Sequence, residues 1–150
     1  MDPSGRFVYV VNNGDDTVSA YSIAPTTGAL SPVSNAPFAA GAGPWCVVVD
    51  PSGRFAYVCN SIDNSVSAYS IASATGVLSP IPGSPFAAGL GPLGISVDPS
   101  GRFAYVVNFT DHNVTAYSIA SKTGALSPIP GSPVPAGYQP MAIATVGLIH

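Results

Sequence analysis

The chain has 150 residues, 47% of them hydrophobic and only 7% charged, with a net charge of −3 and 16 each of glycine and proline. High hydrophobicity with few charges excludes a disordered chain. Four scattered cations (Arg6, Arg54, Arg102 and Lys122) cannot build a nucleic-acid surface, so no nucleic-acid partner is expected.

In chain order, the first predicted strand is Phe7–Asn12, rich in Val and Tyr, and a polar Asn-Gly-Asp-Asp turn leads to a second at Thr17–Ile23. A third, residues 29–33, is entered through Thr27 and Gly28. A long Pro/Ala/Gly connection then precedes a fourth at Pro44–Val49. The turn at Asp50, Pro51, Ser52 and Gly53 places proline and glycine where a tight turn uses them. No stretch carries a 3.6-residue apolar period, so the expectation is twelve short strands and no helix beyond about one turn. Apolar runs such as residues 7–11 and 45–49 fall far below the ~18 residues of a membrane-spanning helix. No basic-then-apolar leader opens the sequence, and localisation stays open.

The pattern recurs. Asp2, Asp50 and Asp98 each open Asp-Pro-Ser-Gly-Arg-Phe at a spacing of 48 residues, and about 30 of 48 positions match between neighbouring copies. A period in this range is that of β-propeller blades. The fold expected is therefore all-β: one domain, residues 1–150, of three four-stranded antiparallel blades in repeats 2–49, 50–97 and 98–145.

Pro32, Pro80 and Pro128 fall in the third strand of each unit, and proline cannot donate to a ladder, so this strand is placed on the outer edge. The Pro44–Val49 strand, with smaller side chains, is placed innermost. The chain then reads b-c-d, a-b-c-d, a-b-c-d, a, with a last inner strand at residues 140–146. Propellers need about four to eight blades. The expected partner is therefore the chain itself: two copies closing a six-bladed ring, or three copies giving nine blades. Residues 140–146 of each copy would complete the first blade of the next.

The segments Arg6 to Asn12, Asp16 to Ile23 and Thr27 to Leu30 resemble the repeat of lactonase-type propellers and the related Tyr-Val-Thr-Asn repeat proteins, over essentially the whole chain. Such proteins usually have seven blades. The resemblance implies 6-phosphogluconolactonase or carboxymuconate-cyclase-like activity, or a surface protein. No cofactor is implied.

Comparing the three copies locates any ligand site. The a–b/c–d end is nearly invariant, whereas the b–c/d–a end varies. Its differing positions are Asp16, Asn64 and His112 in the b–c loops and Trp45, Leu93, Tyr138, Gln139 and Met141 at the approach to the axis. These are the candidate binding residues. No catalytic set is assigned: His112 beside Asp111 is a general-base pair without a nucleophile. Asn12, Asn60 and Asn108, with Asp15, Asp63 and Asp111, are read as turn formers capping their own backbone. The arginines are read as pairing with carboxylates or covering the rim. Cys46 and Cys59 flank one turn without metal-ligand spacing, and are read as buried, reduced core residues, with a cross-strand disulfide as the alternative. A sugar-phosphate lactonase needs a cation at its mouth, and all four cations fall on the invariant end, so phosphogluconolactonase activity is not expected. The main reading is a non-enzymatic self-assembling scaffold. The alternatives are a lactonase or cyclase acting on an uncharged lactone, and a surface adhesion module.

Overall fold

The computed structural model describes residues 5–147; Asp2, expected in a turn, and His150, at the chain end, lie outside them. Three antiparallel sheets follow one another along the chain. The first holds β1 (Phe7–Asn12), β2 (Thr17–Ile23), β3 (Leu30–Pro32) and β4 (Phe38–Ala39). The second holds β5 (Pro44–Val49), β6 (Phe55–Asn60), β7 (Ser65–Ile71), β8 (Leu78–Pro80) and β9 (Phe86–Ala87). The third repeats it as β10 (Pro92–Val97), β11 (Phe103–Asn108), β12 (Asn113–Ile119), β13 (Leu126–Pro128) and β14 (Val134–Pro135). The described residues contain no helix.

The three predicted inner and central strand types match the observed bounds. Their register follows from the hairpins. In each b–c hairpin the closing pair is an Asn opposite a small polar residue, as Asn60 opposite Ser65, and the Asn60 amide donates to the Ser65 and Ser67 hydroxyls. All six residues of β6 are buried, because the middle blade is covered on both faces.

The outer strand differs from expectation. It is split into two short pieces in each blade; with three pieces gained and the last inner strand lost, the described residues hold fourteen strands rather than twelve. β8 pairs with one end of β7 through Ile71↔Leu78, and β9 with the other end through Val66↔Phe86. Pro80 at the end of β8, and Pro82 and Pro85 between the two pieces, lack N–H groups, so no continuous ladder can form. The Ser84 hydroxyl fills the gap by accepting the Ala68 N–H at 2.8 Å. The peptide bonds before Pro37, Pro85 and Pro133 are cis. The edge placement of Pro32, Pro80 and Pro128 holds: each lies on a strand paired on one side only.

The last inner strand is also a correction. Residues 140–147 form no strand. They run beside β10, where the Thr145 hydroxyl donates to the Val97 carbonyl at 2.9 Å and meets the Ser96 hydroxyl at 3.0 Å. Gly94 leaves space there, since a Cβ would come within 3.1 Å of the Met141 carbonyl. A strand needs a neighbour to take its ladder bonds, and the described residues offer this segment none.

The cores lie in the two seams between sheets. Phe7, Tyr9 and Val18 of the first sheet pack on Val58, Tyr69 and Leu78 of the second. Phe55, Tyr57 and Val66 of the second pack in the same way on Val106, Tyr117 and Leu126 of the third.

Candidate functional site

The two ends of the sheets have different chemistry. At the a–b end the Asp50 carboxylate, 4% exposed, organises the turn between β5 and β6. One oxygen accepts the N–H groups of Arg54 and Phe55, and the other accepts the Ser52 N–H and the Ser52 hydroxyl. Gly53, at φ 71°, closes the turn in the left-handed region. Arg54 and Arg102 sit here too and cover the rim, bonded to neutral partners. The Arg54 guanidinium lies over the Phe55 ring, 5.1 Å from its centre, and donates to the Ser52 hydroxyl and the Ser121 carbonyl. Arg102 repeats the stacking on Phe103 and the bond to Ser100. The Asp50 and Asp98 oxygens are already filled by their turns, so the arginines turn to neutral partners. Burial would raise the Asp98 pKa, but hydrogen bonds from the Ser100 hydroxyl and the Phe103, Ser100 and Arg102 N–H groups outweigh it and hold the carboxyl below its ordinary range.

At the b–c/d–a end, the link from one blade to the next is pinned between two loops. The Gly43 N–H donates to Asp16 of the same repeat at 2.9 Å, and the Ala42 N–H to Asp63 of the next blade at 2.7 Å. Gly41 N–H reaches the Asn60 side chain at 3.1 Å. The second link repeats this: Gly91 donates to Asn64, and Leu90 to Asp111. Asn60, Asp63 and Asp111 therefore tie neighbouring blades together rather than capping their own turns. A sequence reading assigns the nearest backbone and cannot see the link arriving from the previous repeat. The amide oxygen of Asn108 is the counterpart of Asn60's, and it is buried without a partner.

The variable residues fall into two sets. Asp16, Asn64 and His112 adopt positive φ, between 53° and 55°, and present an acceptor to the link. For His112 that acceptor is Nδ1, which takes the Gln139 N–H at 3.1 Å, and its ring sits 4.5 Å from that of Tyr138. Trp45 and Leu93 lie where the inner strands slip register, between Pro44 and Cys46 and between Pro92 and Gly94. The extra residue of a bulge re-aims its side chain, and Trp45 is exposed, as are Tyr138 and Met141. The structure thus brings His112, Tyr138 and Gln139 together.

A groove of about 330 Å³ opens at the rim between the first two blades, lined by Gly41, Asp63, Tyr69, Ser84 and Pro85 among others. Its polar atoms already serve the fold: Asp63 holds Ala42, the Tyr69 hydroxyl donates to the Ala39 carbonyl, and Ser84 holds Ala68. Among the described residues no three His, Cys, Asp or Glu side chains gather to hold a metal. Cys46 and Cys59 are direct cross-strand partners, both free; Cys59 is buried and Cys46 half-buried. Their mutual hydrogen bond lowers the Cys46 pKa, and together with burial it raises that of Cys59 well above the ordinary value.

Sheets of this make, packed face to face with a proline-bearing outer edge, are blades of a β-propeller. The profile described as Lactonase, 7-bladed beta-propeller matches residues 1–129. The chain belongs to that family. Among solved structures it is similar to a provisionally named 6-phosphogluconolactonase from Bacteroides fragilis, at 20% identity and a TM-score of 0.86, over 95% of this chain and 39% of that one. It is also similar to the periplasmic gluconolactonase of Pseudomonas aeruginosa, at 19% identity and a TM-score of 0.82, over 94% and 39%. A Lactobacillus plantarum protein matches at 21% identity and a TM-score of 0.80, over 95% and 42%. The chain spans about two fifths of the length of these proteins, and at such identities the likeness concerns the fold. None of the curated proteins compared with the chain matches it.

Proposed function

We propose that the chain supplies three blades of a lactonase-type propeller acting on a small, uncharged lactone at the b–c/d–a end. The family match over residues 1–129 supports the reaction class, and it favours this reading over an inert scaffold. The placement of charge supports the substrate. Arg54 is committed to Ser121 and Ser52 at the opposite end, Arg102 to Ser100 beside it, and Lys122 lies in the c–d loop next to Ser121. A phosphorylated sugar lactone would need such groups at the mouth. Trp45, Leu93, Tyr138, Gln139 and Met141 offer apolar surface and an amide, with His112 beside Tyr138 and Gln139. An assay against glucono-δ-lactone and its 6-phosphate tests this. Turnover of the neutral lactone above the buffer rate, with none of the phosphate, is the expected result. Preference for the phosphate overturns the substrate class, and inertness to all lactones leaves the scaffold reading.

A second reading, self-assembly into a closed ring, is favoured by one observation. Residues 140–147, at the repeat position of β5 and β10, have no ladder partner among the described residues. Two copies would give six blades at twice the 15.0 kDa chain mass.

A further inference from the structure

We propose that Cys46 and Cys59 form a reversible thiol–disulfide site, which low-molecular-mass disulfides oxidise to a cross-strand bridge within the second blade.

Cys46 of β5 and Cys59 of β6 stand opposite each other in the ladder, so their side chains leave the sheet on the same face. Both pack into the seam toward the third blade, in the cluster that holds Tyr57, Ile95 and Val106. Both walls of that seam belong to this chain. Directly opposed residues of an antiparallel pair lie about 4.5–5.5 Å apart at Cα, inside the roughly 4.4–6.8 Å that a disulfide spans. A bridge therefore needs rotation of two short side chains and no rearrangement of the backbone.

The third blade builds the same hairpin without thiols. There the corresponding pair is Gly94 and Val107. In the second blade both members differ at once, and the chain's two cysteines meet at a single ladder position. Packing accounts for a small residue opposite an apolar one. It gives no reason for two opposed sulfurs, which a disulfide requires.

The two thiols are not equivalent, and the difference sets the order of reaction. Cys46 is half-buried, whereas Cys59 is buried. Hydrogen bonds from the Cys59 thiol and from the Cys59 and Ile95 N–H groups favour the Cys46 thiolate, against the effect of burial. Cys46 is thus the attacking group and Cys59 the resolving one. The Cys46 thiolate attacks a disulfide RSSR, forming the Cys46–SR bond and expelling RS⁻. The Cys59 thiolate then attacks the Cys46 sulfur, closing the Cys46–Cys59 bond and expelling the second RS⁻. The two protein thiol protons pass through solvent to the expelled thiolates. Two protein thiols are oxidised and one RSSR is reduced to two RSH, and excess RSH reverses both steps. The bridge ties β5 to β6 beside the bulge that carries Trp45.

The test equilibrates the folded full chain with mixtures of reduced and oxidised glutathione, quenches with an alkylating reagent and reads intact mass. In the wild type both thiols are expected to disappear together, as the loss of two hydrogens, with an unchanged β spectrum. Excess dithiothreitol should restore them. Cys59→Ala should stop at one glutathione on Cys46. Cys46→Ala should leave Cys59 reacting at least about tenfold more slowly than Cys46 does in Cys59→Ala. The wild-type measurement stands by itself if either variant does not fold. Thiols that stay free at the most oxidising mixture overturn the site, as do disulfides formed between chains or a bridge that appears only as the β spectrum is lost. Equal rates in the two variants overturn the order of attack.

Discussion

The Tyr57 hydroxyl donates a 2.8 Å hydrogen bond to the Gly124 carbonyl, 67 residues along the chain, and so stitches the second blade to the third. Tyr57 is fully buried. Tyr57→Phe keeps the ring and leaves the carbonyl unpaired, at a cost of about 1–2 kcal/mol. The change should lower the urea midpoint without changing the slope. Tyr9→Phe, at the first seam, should act alike.

Burial raises the pKa of Tyr57, with a further push from Asp50, and it raises that of Tyr69; for Tyr117 burial is again the first cause and carries the value to about 12. A raised folded value means that the native state holds these protons more tightly than the unfolded chain does. Stability is therefore whole below about pH 10, the unfolded tyrosine value, and falls as pH climbs toward 12. Phenolate absorbance should lag behind that of free tyrosine and then rise together with unfolding. Ionisation of all seven tyrosines near pH 10 in a folded protein would contradict this.

The Asp50 turn should be the costliest of its kind to break. Asp50→Ala removes an almost wholly buried carboxylate and leaves three backbone N–H groups without their acceptor, at about 2–3 kcal/mol. Asp98 makes the same bonds but is more exposed, so Asp98→Ala should cost less. The Asp98 carboxyl has a depressed value, so its contribution is present above the ordinary carboxylate pKa and is lost as pH falls below it. Thermal melts of both variants at neutral pH, and a carboxyl NMR titration of Asp98, check the order and the sign.

Cys59 stands where the other repeats have Val11 and Val107, and Cys46 where they have Gly94 and Ala142. Cys59→Val is therefore expected to change stability by less than about 1 kcal/mol. In the folded protein an alkylating reagent should modify Cys46, the more exposed thiol with the lowered pKa, well before Cys59. Peptide mapping reads this order directly.

The repeat made most of the fold legible. A spacing of 48 gave the blade, the turn residues gave the hairpins, and the prolines gave the outer edge. The split of that edge into β8 and β9 was hidden because it depends on Ser84 substituting for a ladder group, a local exchange with no periodic signature. Residues 140–146 carry strand composition, yet strand formation depends on a neighbour. The site was legible only as a place. Divergence among copies pointed to Trp45, Leu93 and His112, but the roles of Asp16, Asn64 and His112 in holding the link arise from chain segments 27 residues away. The seam tyrosines were missed, although each pairs with a small residue of fixed phase, Tyr57 with Gly124 and Tyr117 with Ala87.

The prolines at the outer edge also decide how the protein avoids growing into fibres. Pro32, Pro80 and Pro128 sit on the outermost strands and offer no N–H to a strand arriving from the side. Each outer strand is only three residues long. Short, proline-bearing edges are how β proteins discourage sheet-to-sheet templating. Lateral recruitment is thereby discouraged at the three outer rims. The blades can thus be concentrated without ribbons spreading sideways, which a dye-binding aggregation assay on Pro80→Thr would expose.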